Sequence, residues 1–386
     1  MADYKIKLNK KHEGKEFKSS FRFIGKVSQV SKKDESDSWV KQPIAQQTTT
    51  RTTGKPRRVI QFEIETAPSN RLRVELAAME QKFAYPYSST HKKSVTVDWA
   101  DRNNKEKFPD NTYHPIEVDW DKCERLAKLI KADEWYEVRG SYSIEEFTKD
   151  DGTTTTFVKR TINSVRPIVN GQIQQEDGTF QTVKHAGVEF DYVTDFNNPA
   201  FREVNYFNMQ IGIRSTYQEE DTGDTKVNAV FLDFGKERSN PKDVELIVYQ
   251  TEVAEGKKSL ADAFASLNTY DFIEVTGQDN NRATFAYVDV VEELDSDDPF
   301  ADVDDTQRVV RKERVTNGDK KGLEITGYVA NSLMRELLTE EEFQKTATLT
   351  SANPFENGNP ATNNPFTDDP FASAANSDPF ADPFSK

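Results

Sequence analysis

Two long polar stretches of the chain mix aromatic rings with cations. The first, residues 31–59, holds Trp39, Lys41, Arg51, Lys55, Arg57 and Arg58. The second, residues 82–108, holds Phe83, Tyr85, Tyr87, Lys92, Lys93, Trp99 and Arg102. Neither has the apolar density of a core. Rings stack on unpaired bases for roughly 1–3 kcal/mol per base, and Lys and Arg neutralise phosphates and release counterions. The combination therefore suits a single-stranded nucleic acid. The competing reading is that Trp99 and Tyr85 pack a small side cluster beneath a long loop.

A third pattern has different chemistry. Asn-Pro-Phe occurs at 353–355 and 364–366, and Asp-Pro-Phe at 369–371, 378–380 and 382–384, with an outlier at 298–300. Proline fixes φ, and the preceding Asp or Asn favours a turn, so each Phe ring is presented outward at little ordering cost. Neighbouring carboxylates steer such a ring toward a basic, apolar pocket, and repetition raises its effective concentration. Phe355, Phe366, Phe371, Phe380 and the tip Asp382-Pro383-Phe384 are the expected partner-binding residues.

Signatures of catalysis are missing. The sequence has no Gly-rich phosphate loop, no HExxH and no CxxC, and its four histidines (His12, His91, His114, His185) share no metal-ligand spacing. No catalytic residue, cofactor or metal site is expected, and the chain reads as a non-enzyme.

The elements that must position the two stretches read as strands. Phe21–Val27, Val59–Thr66 and Arg71–Leu76 alternate apolar and polar residues. A helix fits Asp121–Ala132, with Asp119 or Asp121 as N-cap and Cys123, Leu126, Ala127 and Ile130 on one face. Strands at Trp135–Ile144 and Phe157–Ile168 follow. Three strands, a helix and two strands is the element order of an OB-fold, a five-stranded Greek-key barrel. In that fold the long stretches fall in the loops after strand one and after strand three, and Arg71 and Arg73 line the face of strands two and three.

The order recurs. Cys123–Gly140 and Leu260–Gly277 both give an amphipathic helix followed by aromatic-x-Glu-Val-x-Gly. Trp135 matches Phe272, Glu137 matches Glu274, Val138 matches Val275 and Gly140 matches Gly277. The predicted fold is mostly β, with tandem OB-like barrels, short helices and a disordered C-terminal tail. The expected divisions are a basic arm over 1–18, a first barrel over 19–170 and a second over 184–294. An acidic linker with a short strand and helix follows over 295–349, then the tail over 350–386. Glu292–Asp305 carries eight acids and no base. The segment Leu323–Val329 with a helix-like Ser332–Gln344 either docks on the second barrel or begins a third unit. The two-residue spacing leaves that open.

Composition bounds the rest. The 386 residues carry a net charge of −15 and are 35% hydrophobic, with a mean hydropathy of −0.79. The charge is unevenly placed. Residues 1–100 hold 20 basic and 11 acidic side chains, and residues 1–170 hold 32 and 25. The remainder holds 19 of the 51 basic and 41 of the 66 acidic residues. A basic front suits contact with phosphate. No run approaches the ~18 apolar residues of a membrane span. No secretory h-region opens the chain, and the lone Cys123 suits a reducing compartment. A cytoplasmic protein with no membrane partner is expected; oligomeric state is not legible.

The barrels, basic front and acidic Pro-Phe tail resemble bacterial and phage single-stranded DNA-binding proteins. The resemblance is architectural over residues 19–294 and lies in short motifs over 351–386. It implies binding of single-stranded DNA, with RNA the alternative, in support of replication, recombination or repair. It also implies that Asp382-Pro383-Phe384 recruits replication or repair proteins, in the host cytoplasm if the protein is phage-encoded. Ser385 and Lys386 follow the tip, so Phe384 does not carry the terminal carboxylate. The same tripeptides also resemble endocytic-adaptor tails, which bind EH domains and clathrin-adaptor appendages. Such adaptors usually open with a helical lipid-binding domain or EH domains, whereas this chain opens with strands.

Overall fold

Alternating apolar residues become the walls of two closed barrels. The structure is a computed structural model. It describes residues 6, 15–34, 36–50, 54–148, 153–185, 187–234, 239–282, 285–290, 311–316 and 320–344. Residues 1–344 form one unit and 345–386 a second. The second unit, with the tail motifs and the disorder expected there, lies outside the described residues.

The first barrel is built from β1 (Ser19–Ser28), β2 (Pro56–Ala67), β3 (Asn70–Met79), β4 (Trp135–Thr148) and β5 (Thr154–Val169). In β3, Leu72, Val74 and Leu76 turn inward while Arg71, Arg73, Ala77 and Met79 face out. Ile60, Phe62 and Ile64 of β2 meet them across the ladder as Ile60↔Leu76, Phe62↔Val74 and Ile64↔Leu72. Each such side chain buried is worth about 1.5–3 kcal/mol. β1 pairs with β2 and β4, β4 with β5, and β5 closes onto β3 in parallel at Thr161↔Glu75. The order 1-2-3-5-4-1 with a parallel closing pair is the OB barrel.

The second barrel repeats it with β6 (Val204–Gln218), β7 (Thr225–Phe234), β8 (Ser239–Val248), β9 (Phe272–Arg282) and β10 (Lys320–Tyr328). β6 pairs with β7 and β9, β7 with β8, β9 with β10, and β10 closes onto β8 in parallel at Leu246↔Leu323. The closing strand is thus the segment that the alternation alone could not place. Phe285–Val290, which lies within the 184–294 expected for the second barrel, pairs with Arg311–Thr316 as an extension of the β9–β10 hairpin. The physical reason is burial: Leu323 and Ile325 reach the core beside Leu246 and Val275. The second barrel therefore runs past residue 294 to Tyr328, and the 295–349 segment supplies its fifth strand.

Helix α1 (Asp119–Leu129) plugs the first barrel with Trp120, Cys123 and Leu126. It starts two residues before the expected Asp121. Val118 occupies the N-cap, and Asp119 and Asp121 fall in the first turn, where carboxylates suit the positive end of the helix dipole. Helix α2 (Leu260–Ala265) takes the same place in the second barrel, capped by Ser259 and Asp262 in a reciprocal capping box. Only Glu340–Phe343, here α3, is helical in the expected Ser332–Gln344 stretch.

The matched glycines occupy matched sites. A Cβ on Gly140 would lie 2.0 Å from the Thr161 carbonyl oxygen and 2.4 Å from the Phe21 ring. One on Gly277 would lie 1.8 Å from the Glu324 carbonyl oxygen and 2.8 Å from the Phe207 ring. Both sit at a register shift, Arg139/Gly140 and Thr276/Gly277, where a bulge bends the strand. The barrels join through their first strands, which pair antiparallel with Phe21 opposite Phe207. One hydrophobic cluster runs through both.

Candidate nucleic-acid interface

The outward face of β2–β3 carries five cross-strand pairs: Arg57↔Met79, Val59↔Ala77, Gln61↔Glu75, Glu63↔Arg73 and Glu65↔Arg71. Arg71 lies 3.4 Å from the Glu65 carboxylate. Burial pushes the Glu63 carboxyl up from its usual range, against the pull of Arg71 and Arg73. The cations predicted for this face are therefore interleaved with acids rather than gathered into a patch.

At the Met79 end the face opens into a groove of about 720 Å³ whose walls include Met79, Phe83, Tyr85, Trp99 and Ile116, with Lys82 at its side. Tyr85 is 56% exposed. Trp99 is half-buried: it packs against the core and also lines the groove.

Two predicted cations turn inward onto α1. Arg58 stacks 4.2 Å from the Trp120 ring and donates to the Trp120 carbonyl (3.0 Å) and to Glu124 (3.2 Å). Arg102 lies 4.7 Å over Trp99 and grips both oxygens of Asp121 at 2.9 and 2.8 Å. That pair holds the Asp121 carboxyl below its usual range. Arg58 fastens β2 to the helix, and Arg102 fastens the β3–α1 loop to it. These partners engage both guanidiniums, and the Arg58 and Arg102 side chains remain 25% and 21% exposed.

The remaining residues lie on small hairpins. Trp39, 68% exposed, and Lys41 sit on the hairpin Ser31–Lys33 with Trp39–Lys41 in the β1–β2 loop, with Lys33 5.9 Å over the Trp39 ring. Lys55 is exposed nearer β2, its backbone N–H donating to Thr50 Oγ1 at 3.0 Å. Arg51 lies outside the described residues, as do Phe355, Phe366, Phe371, Phe380, Asp382, Pro383 and Phe384. Tyr87 and Lys93 belong to a three-stranded sheet of Tyr87–Ser88, Lys93–Ser94 and Tyr113–His114. Lys92 takes a left-handed turn conformation, φ 51°, between its first two strands. Of the aromatic residues named from the sequence, Phe83, Tyr85 and Trp99 come together in the groove, with Arg57, Arg71 and Arg73 on the adjoining face.

Sequence reasoning missed Phe147 and Phe157. The β4–β5 hairpin continues past the barrel as a finger, with Glu145↔Phe157 and Phe147↔Thr155 in register. That register puts both rings on one side, and they are 59% and 49% exposed. Lys159 on the same side bridges Glu145 (2.7 Å) and Glu75 of β3 (3.5 Å), joining the finger to the β2–β3 face. The signal was present: Phe147 is one residue out of phase with Tyr142 and Ile144, and Phe157 is adjacent to Val158, so apolar residues fall on both faces of one hairpin.

Among the described residues, no group of three or more His, Cys, Asp or Glu could hold a metal ion, and no helix is long and apolar enough to cross a membrane. A family described as YorF matches residues 168–353. No curated protein matches the sequence. Two solved structures of the single-stranded DNA binding protein from Thermus aquaticus are similar at 11% identity. The wild type aligns at a TM-score of 0.33 over 80% of this chain and 97% of that one. A deletion mutant aligns at 0.34 over 84% and 97%.

Proposed function

We propose that the chain binds a single-stranded nucleic acid, DNA first among them, across the β2–β3 face of the first barrel. The observation that carries the reading is the set of solvent-facing rings around that face. Tyr85 and Trp99 line the adjoining groove, Phe147 and Phe157 stand on the finger, and Trp39 stands on the β1–β2 loop. In OB barrels this face and the loops after strands one and four take up oligonucleotides. Exposed rings cost free energy in water, and bases have π-faces to cover them.

Stacking outweighs charge in this arrangement. Glu63, Glu65 and Glu75 share the face with Arg71 and Arg73, so few phosphates find an unmatched cation. Among the described residues Arg57, Lys82, Lys41 and Lys55 make no ion pair. Three or four phosphate contacts give a salt slope of about −2 to −3 for a single strand. Titrating labelled oligo-dT, oligo-rU and a duplex against salt tests this. Preference for single strands with that slope is expected, and equal affinity for duplex would overturn it. The dT-to-rU ratio assigns DNA or RNA.

The same reading extends to a role in replication, recombination or repair, with replication or repair proteins recruited by the tail through Phe355, Phe366, Phe371, Phe380 and Asp382-Pro383-Phe384. Replacing the five tail phenylalanines by Ala is expected to abolish capture of such enzymes from a bacterial lysate and to leave oligo-dT binding intact. The repeated Asn-Pro-Phe favours a second reading as an adaptor. Capture of EH-domain proteins without oligo-dT affinity would establish that instead.

A further inference from the structure

The finger has two faces, and one of them carries the exposed Phe147 and Phe157. The other carries Tyr142, Ile144 and Arg160 onto the second barrel. Tyr142 Oη donates to Asp279 Oδ2 at 2.8 Å, and Arg160 donates to both Asp279 oxygens at 2.6 Å. Asp279 is fully buried. With Gly140 matched to Gly277, Asp279 is the counterpart of Tyr142, so the clamp joins equivalent positions of the two repeats.

Further along, Glu146 accepts from the Asp243 backbone N–H at 3.4 Å and faces Lys242 at 3.8 Å. Thr155, Thr156 and Val158 of the finger enclose a crevice of about 550 Å³ against Asn228, Asp243 and Glu245. These lie on β7–β8, the counterpart of the β2–β3 face. Arg214, also at the crevice, is held by Asp243 at 2.9 Å. Leu338 and Phe343 cover the neighbouring Gly212. Among the lining residues Asp243 is already paired with Arg214 and the remaining charge, Glu245, is negative, so the wall offers phosphate no unmatched cation.

We propose that the chain has one strand-binding face, that of the first barrel, and that the second barrel is a dock fixing the finger, with Asp279 as the positioning residue. The proposal rests on the single-strand reading above. A buried carboxylate is tolerable only while its partners stay, so Asp279 and the finger hold each other. A fixed finger presents Phe147 and Phe157 without the ordering cost of a mobile loop.

Native mass spectrometry of the full chain with an oligo-dT of about 8 nucleotides, within the span of one OB barrel, reads the stoichiometry. One oligonucleotide per chain is expected, and two of similar affinity would overturn the single face. No binding at low salt would sink the underlying reading instead, which keeps the two failures distinct. Asp279→Asn is expected to weaken oligo-dT about three- to tenfold, to speed amide exchange in residues 141–161, and to shrink the effect of Phe157→Ala. A loosened finger with unchanged affinity would refute the positioning role. Tyr142→Phe removes one clamp bond only and gives a smaller loss in the same direction, so the test survives if Asp279→Asn does not fold.

Discussion

The two barrels share strand order, closing pair, helix position and bulged glycine, yet they meet water differently. In the first, the loops after strands one and three are long, spanning residues 29–55 and 80–118, and they carry exposed rings. In the second, the matching loops shrink to residues 219–224 and 249–259, and the long insertion moves to the hairpin between β9 and β10. Its β7–β8 face lies against the first barrel's finger. A shared framework therefore says little about a shared task; what differs is which loops grew and which face is covered.

The largest effect should come from the feature the barrels have in common. Gly140→Ala and Gly277→Ala each force a Cβ into a backbone carbonyl, and each is expected to cost about 3 kcal/mol by overpacking. Calorimetry should show the two losses to be alike and in a single transition, since one hydrophobic cluster joins the barrels. Unequal losses would break the equivalence of the repeats.

Next come the exposed rings. Phe157→Ala should weaken oligo-dT by about 2 kcal/mol if the ring stacks a base. Tyr217→Ala or Tyr328→Ala, exposed on the second barrel, should change nothing measurable. Loss at either tyrosine would put a second face back into play. Tyr85→Ala should cost about 1–2 kcal/mol of affinity at unchanged melting temperature. Trp99→Ala should lower both, because the indole is shared between core and groove.

Cations sort the same way. Arg57→Ala or Lys82→Ala should flatten the salt slope by about 0.7. Arg102→Ala should leave the slope alone and cost about 1 kcal/mol of stability, since its grip on Asp121 is partly solvated. The smallest effect is protonation. The Glu63 carboxyl is raised, so a falling pH neutralises it before an ordinary glutamate. Binding should tighten slightly as pH falls, and Glu63→Gln should remove that trend.

The repeat was legible because its signals are local: helix, aromatic, Glu-Val and glycine fall within a short window. The identity of the closing strand was not. Phe285–Val290 and Lys320–Tyr328 both alternate, and the choice is made by parallel pairing with β8 across a long insertion, which no local pattern records. Loop composition pointed to Tyr85 and Trp99. It could not show that Arg58 and Arg102 fold back onto α1, because that depends on where Trp120 and Asp121 lie in space. Phe147 and Phe157 escaped for a related reason: alternation names two faces of a hairpin without saying which one is wet.

The pairing of β1 with β6, Phe21 against Phe207, is the isologous contact of a two-fold dimer drawn into a single polypeptide. In a true homodimer every substitution appears on both sides of the axis, so neither half can change alone. Here each half is written once. One could lengthen its loops while the other shed them, without disturbing the contact that holds them together.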